Sequence, residues 1–435
     1  PQSQQLKPVN LPISAGAPPV KPYDIIEDQS GKLWVASGDG IWRVSADQRQ
    51  YKKYAALDIE SGDTIRRIHS LFKDRSGLIW LPSNDQSGVY TFDPTQEKGQ
   101  VALLQGLGDE LLSTNQIIIG EDGRFWLSTS LGLLRCDPKS GGVKKVMPVE
   151  SCHFATAWDD RYLMVCTSQG LFVFDRETEA YWPVQLGEAT VRSFPTTTYA
   201  AIDHDGDLWV STWGEGLFRL PMADFNIQTG RARKYDQWSY QPSGENSLPS
   251  NLLAGIAVDA NNKIWLAGAE NGLNAMDKTT GKVQRFLYEQ GREHGISSNY
   301  TWGLLIDKQG HIWISRGKNF LERFDPDTRQ FKSFGVAEGL PDYEISNMVM
   351  DSAGIIWLNQ NQAVSSFDPS TGAVHILPQS RVPKPYNEAI AVHPETGKIL
   401  FASHKELRSI APELISSPQS TPSTLLLSDI ACLSA

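Results

Sequence analysis

Aromatic side chains standing beside amides and charged groups recur between the apolar runs of this 435-residue chain. Arg66, Arg67 and His69 come first, followed by Asn84 and Asp85. The middle of the chain carries Trp158, Tyr199, Trp213 and Glu215, and then Tyr300, Trp302, Arg316, Lys318 and Asn319. Tyr343, Asn359, Asn361, Tyr386, Asn387, His404 and Lys405 complete the set. Rings of this kind stack on a sugar or grip a peptide, while Arg, Asn and Glu hydrogen-bond hydroxyls and amides. These residues fall before or between strand-length apolar runs and escape the pattern that packing imposes. They are therefore the candidates for a ligand-binding face.

No catalytic residue is assigned. The chain lacks GxSxG, HExxH and a phosphate-cradling glycine loop. The eight His form no spaced ligand pair, and the four Cys (136, 152, 166 and 432) form no CxxC, so neither a metal nor another cofactor is expected. Cys136 and Cys166 fall on predicted strands and read as small buried thiols. Asp203-His204-Asp205-Gly206-Asp207 has the acid density of a calcium loop. The same turn elsewhere is DQSG or DKQG, with too few oxygens for a calcium shell, so it reads as a hairpin turn.

The elements that must position the candidates are nine copies of one phrase. An Asp/Gly turn leads to a short apolar run with one Trp, a small residue, a second turn with Gly and another apolar run. The anchors are Trp34, Trp80, Trp126, Met164, Trp209, Trp265, Trp313, Trp357 and Leu400, spaced 38 to 56 residues apart. A period in the forties with strands and turns is the mark of β-propeller blades. The fold class is therefore all-β: a single propeller over 1–412 with four strands per unit. Seven or eight blades form the alternative count to nine. Unit 9 lacks a fourth strand, and the segment Leu6–Leu11 has the character of a strand without a blade. Pairing the two would cover both open edges and close a nine-membered ring. The anchor Trp residues read as core filling between units. In a propeller, the loops leading into the inner strands and those joining second to third strands share one face around the channel, which is where the candidates lie.

Two stretches stand outside the phrase. Residues 222–247 insert a long loop in unit 5 holding Tyr235, Trp238 and Tyr240; long aromatic loops can mark a functional surface. Residues 413–424 are a Ser/Pro-rich linker, and the last eleven begin an apolar run, so 413–435 reads as a linker with the first strand of a following domain. The start at Pro1, without a Met or a signal peptide, suggests a mature or excised segment. A net charge of −10 argues against a nucleic-acid surface, which needs a basic stripe. No apolar run reaches membrane-spanning length.

The copies DQSGKLWVASGDGIWRVS, DHDGDLWVSTWGEGLFRL, VDANNKIWLAGAENGLNAMD and IDKQGHIWISRGKNFLERFD, with the lead-ins SLPSN, GISSN and GLPDYEISN, resemble the two-component regulator propeller family. The resemblance covers nearly the whole chain. It implies the periplasmic sensing region of a bacterial transmembrane signalling protein, followed by a small β-sandwich, a membrane helix and a histidine kinase or diguanylate cyclase. Many members of that family carry two seven-bladed propellers, so nine repeats depart from the pattern and no ligand site is carried over. The expected function is non-catalytic sensing of a small molecule, sugar or peptide at the channel face. Nucleic acid is not expected as a partner, the membrane enters only through a part C-terminal to this sequence, and a homodimer is an option for the full-length protein. The alternatives are a propeller lyase or hydrolase acting on glycans or peptides, and a protein-interaction scaffold.

Overall fold

The computed structural model describes residues 22–45, 51–57, 64–65, 68–73, 79–83, 88–92, 99–103, 113–187, 192–242, 247–377, 389–412 and 426–429, except 29, 38, 39, 69, 121, 122, 138–141, 271, 316–320, 361, 362, 403–405 and 411. Its described residues are almost entirely antiparallel strands. Unit 3 is representative: Thr114–Ile119, Phe125–Thr129, Gly132–Cys136 and Val143–Met147 pair in chain order. Units 4 to 8 repeat this four-stranded order, beginning at Cys152, Thr197, Leu253, Leu304 and Ile345.

The turn chemistry in the phrase does two jobs. In units 1, 5, 6, 7 and 8 an Asp closes the first hairpin: Asp28, Asp203, Asp259, Asp307 and Asp351. One carboxylate oxygen takes backbone N–H groups two and four residues on. The other accepts the indole N–H of the Trp six residues on, at 2.8–2.9 Å. The turn residue at positive φ is Gly in four of these units and Asn262, at φ 63°, in unit 6. The small hydroxyl residue ending the second strand donates across the next turn, as Ser37 does to Gly40 and Thr129 to Gly132. Gly132 is required there: a Cβ would stand 2.1 Å from the Met147 carbonyl.

Each anchor side chain packs on the following unit. Trp209 meets Leu253, Ile264 and Leu266 of unit 6, Trp265 meets Ile312 and Ile314 of unit 7, and Trp357 meets Ile390 and Ile399 of unit 9. Leu400, the anchor of unit 9 (Ala389–Val392, Ile399–Ala402, Glu406–Ile410), packs on Ile117, Phe125 and Leu127 of unit 3. The contacts thus run from unit 3 through unit 9 and back to unit 3.

These contacts revise the expected ring of nine. Unit 3, not unit 1, is the neighbour of unit 9. The strand on the outer edge of unit 9 is Gly99–Leu103, paired antiparallel with Glu406–Ile410, where the repeat pattern places the fourth strand of unit 2. Residues 6–11, expected to fill that edge, lie outside the described residues. The physical demand was read correctly, since unit 9 has an edge that must be paired, but another segment meets it. Units 1 and 2 pack on each other through Trp34, Ile41, Ile68, Leu71, Ile79 and Leu81. Ile25 of unit 1 is 47% exposed, whereas its counterparts Ile117 and Ala200 inside the cycle are 5% and 4% exposed.

The insertion in unit 5 is packing. Phe225–Asn226 and Arg231–Ala232 join Gln185–Leu186 and Arg192–Ser193 in a small separate sheet. Trp238 lies on the fourth strand of unit 5 and stacks on Trp209 at 5.4 Å. Cys136, Cys152 and Cys166 are free and buried. Asp203 and Asp205 are bridged by the Lys278 ammonium, and among the described residues no cluster of His, Cys, Asp or Glu could hold a metal ion.

Candidate functional site

The inner strands of five cycle units break register at their beginnings. The irregularity falls at Asn115 in unit 3, His153 in unit 4, Thr198 and Tyr199 in unit 5, Ala254 in unit 6 and Ser346 in unit 8. A bulge re-aims the side chain it carries. All six residues line one cavity of about 510 Å³ at the channel, together with Thr196, Trp213, Tyr300, Trp302, Glu344, Ile345 and Asn347.

One wall of the cavity is aromatic. The Tyr300 and Trp302 rings stack at 6.1 Å and 23°, and Trp213 stands 6.3 Å from Trp302 at 60°. Their exposures are 41%, 37% and 41%, high for rings of this size. The backbone holds them there. Between the pair, Thr301 is buried, and its hydroxyl donates to the Gly272 carbonyl at 2.8 Å. Trp302 N donates to Ser315 O at 2.9 Å, and Trp213 N to Thr196 O at 3.0 Å. Tyr199 lies deeper, its ring 4.4 Å from Phe154, and burial pushes its hydroxyl up to about 12, so it stays protonated.

The other wall is polar. His153 Nδ1 lies 2.8 Å from Thr197 O, and Asn115 Nδ2 donates to Cys152 O at 2.7 Å. Asn347 Nδ2 reaches Asn115 O at 3.3 Å, and its own Oδ1 takes Met348 N. Among the described residues, no hydroxyl or thiol nucleophile is hydrogen-bonded to His153. The arrangement offers stacking faces and hydrogen-bond acceptors.

Of the candidates read from sequence, the structure brings Tyr199, Trp213, Tyr300 and Trp302 together. Four others are described and do not line the cavity. Trp158 is a correction: it sits at the hairpin between the first and second strands of unit 4, packed on Phe225 at 5.3 Å, away from the channel face. Glu215 belongs to the turn after Trp213 but is ion-paired with Arg192 at 3.0 Å. Asn359 is buried behind the wall, paired in register with Asn347, and its carbonyl accepts the Ser346 hydroxyl. The Tyr343 carbonyl accepts Gln360 Nε2 in the segment leading into unit 8. Arg66, Arg67, His69, Asp85, Arg316, Lys318, Asn319, Asn361, Tyr386, Asn387, His404 and Lys405 lie outside the described residues. Asn115, His153, Thr196, Thr198, Glu344 and Asn347 were missed. The only signal for most of them is a polar residue one or two places inside a predicted inner strand.

No family model matches the chain. A curated relative, histidine kinase P4 of Formosa agariphila, is 22% identical over 262 residues, covering 59% of this chain and 18% of that protein. The crystal structure of the extracellular domain of a hybrid two-component system from B. thetaiotaomicron superimposes with a TM-score of 0.63 at 16% identity. The match covers 96% of this chain and 63% of that one. The chain shares the propeller fold of two-component sensor regions. That fold is not confined to sensors. Virginiamycin B lyase from Staphylococcus aureus matches with a TM-score of 0.52 at 11% identity, over 72% of this chain and 98% of the lyase. The chain thus spans less than two thirds of both the kinase and the two-component domain.

Proposed function

We propose that this chain is the periplasmic ligand-sensing region of a bacterial transmembrane signalling protein, with the channel cavity as its ligand site. The observation that carries the reading is the cavity itself: three partly exposed aromatic rings held on anchored backbone opposite bulged polar residues. Rings spaced to stack on flat faces beside hydrogen-bonding groups suit a saccharide or a peptide. The likeness to a histidine kinase and to an extracellular two-component domain supports the signalling context. In this reading the working propeller is the seven-unit cycle, units 3 to 9, closed by Gly99–Leu103. It occupies about 72% of the chain, the share that the lyase propeller also covers. Units 1 and 2, with residues 413–435, are then the connections to adjoining domains and the output stage, a kinase or cyclase.

A thermal-shift screen against oligosaccharides and peptides tests this, because a ligand bound only by the folded state raises its melting temperature. A hit that is lost in Trp302→Ala supports the cavity as the site. A hit unaffected by that change moves the ligand elsewhere. The lyase likeness favours one second reading, an enzyme acting at the same cavity, and turnover of the hit compound would establish it.

A further inference from the structure

The polar side chains of the cavity direct their donor hydrogens into the wall. Asn115 Nδ2 donates to Cys152 O, His153 Nδ1 to Thr197 O, and Thr196 Oγ1 to Ser168 O, at 2.7, 2.8 and 3.0 Å. Thr198 Oγ1 donates to Leu253 O at 2.8 Å, and Ser346 Oγ to Asn359 O at 3.2 Å. Each acceptor is a main-chain carbonyl, which cannot donate, so the direction of every bond is determined. For His153 this sets the tautomer: in the neutral ring the proton is on Nδ1, and Nε2 keeps its lone pair. The groups left for a ligand are the acceptors Nε2, Asn115 Oδ1 and the hydroxyl lone pairs, beside the aromatic faces. A carboxylate or sulfate placed here would meet lone pairs with its own lone pairs and lose its hydration unpaired.

We propose that the cavity recognises its ligand through the ligand's own hydroxyl or amino hydrogens, with His153 Nε2 as the discriminating acceptor, so that it admits neutral or amino-substituted polyhydroxylated rings and rejects uronates and sulfated rings. This rests on the cavity being a carbohydrate-class site. Protonating His153 turns Nε2 from acceptor to donor, which sets the sign of the pH effect. Binding of a neutral or amino sugar weakens as pH falls, whereas binding of an anionic sugar would strengthen. The flanking inner strands place Asn115 and Gln116 (unit 3) and Thr197 and Tyr199 (unit 5) around the imidazole, and unit 4 adds Cys152 and Cys166. Burial holds the Tyr199 hydroxyl and the Cys152 thiol up to about 12 and raises Cys166 as well, so none of the three titrates between pH 5 and 8. Glu344 and Tyr300 are the remaining titratable groups of the lining.

The test applies the labelled intact chain to an array of neutral, amino-substituted, uronate and sulfated oligosaccharides at pH 8 and pH 5. Signal is expected on the neutral and amino classes alone, about tenfold weaker at pH 5. His153→Gln, which keeps an acceptor that does not titrate, is expected to bind at pH 8 and to lose the pH dependence. Binding of uronates or sulfated rings that tightens at pH 5, or neutral-ring binding equal at both pH values, overturns the inference and leaves the carbohydrate site standing. Silence on all four classes overturns the carbohydrate site and this inference with it. Imidazole ¹⁵N shifts of the unliganded chain supply a ligand-free check: a neutral His153 carrying its proton on Nε2 overturns the inference alone.

Discussion

Trp126 shows what one missing carboxylate does. It is buried like the other cycle Trp residues, but its indole N–H has no partner, because Gly120 occupies the place that Asp takes in units 1, 5, 6, 7 and 8. Gly120 N still donates to Arg124 O at 2.9 Å, the same backbone bond that Asp28 makes to Lys32. Gly120→Asp is therefore expected to stabilise the chain by about 1 kcal/mol, read as a higher urea midpoint at unchanged slope. Trp302→Ala has the opposite signature. The ring is partly exposed and its contacts are aromatic neighbours at the cavity, so ligand-induced stabilisation should vanish while the unliganded melting temperature moves by only about 2 °C. At this scale Trp213, Tyr300 and Trp302 were legible because rings outside the repeat pattern stand out. Asn115 and His153 were not, because only a break in strand register turns them into the channel.

At the scale of the hairpin, the Asp–Trp pair couples turn to core. Trp209→Ala removes a fully buried ring and leaves Asp203 without its indole donor, and should cost about 3–5 kcal/mol in chemical unfolding. The same pairs make the fold acid-sensitive. Burial pulls the carboxyl groups of Asp28, Asp203 and Asp307 upward, but the indole, side-chain and backbone donors outweigh it and hold each below the ordinary aspartate value. Asp175, paired with Arg161, is held down to about 2 by that bond and by backbone donors, again against burial. A depressed folded value means the stabilisation is complete above the unfolded value near 4 and is lost as pH falls through the folded one. Melting temperature should therefore be flat from pH 7 to about 5 and fall steeply between about pH 4 and 2. Asp203→Asn should flatten part of that fall.

The whole molecule turns on which edges meet. With Gly99–Leu103 on the outer edge of unit 9, a chain of residues 95–412 contains every strand of the seven-unit cycle. It is expected to fold alone and melt in one transition. Residues 110–412, lacking that strand, should expose the Glu406–Ile410 edge and melt lower or self-associate on gel filtration. Equal behaviour of the two fragments would show that the strand is not the closure. The open Ile25 side of unit 1 belongs to the same scale, since that face lacks the neighbour that covers every equivalent face in the cycle.

By itself the sequence determined the unit and its local chemistry. An Asp, a positive-φ residue and a Trp at fixed spacing specify a hairpin and the face it buries, because turn dihedrals, indole hydrogen bonding and apolar burial act within a few residues. It also exposed the aromatic rings that no packing role required. Only the tertiary structure decided which units are neighbours, which strand fills the last edge, and which polar side chains the bulges turn into the cavity. Nearly identical repeats present nearly identical faces, so the pattern cannot say whether unit 9 meets unit 1 or unit 3. That choice depends on how the units curve around the axis and on which free strand reaches the open edge.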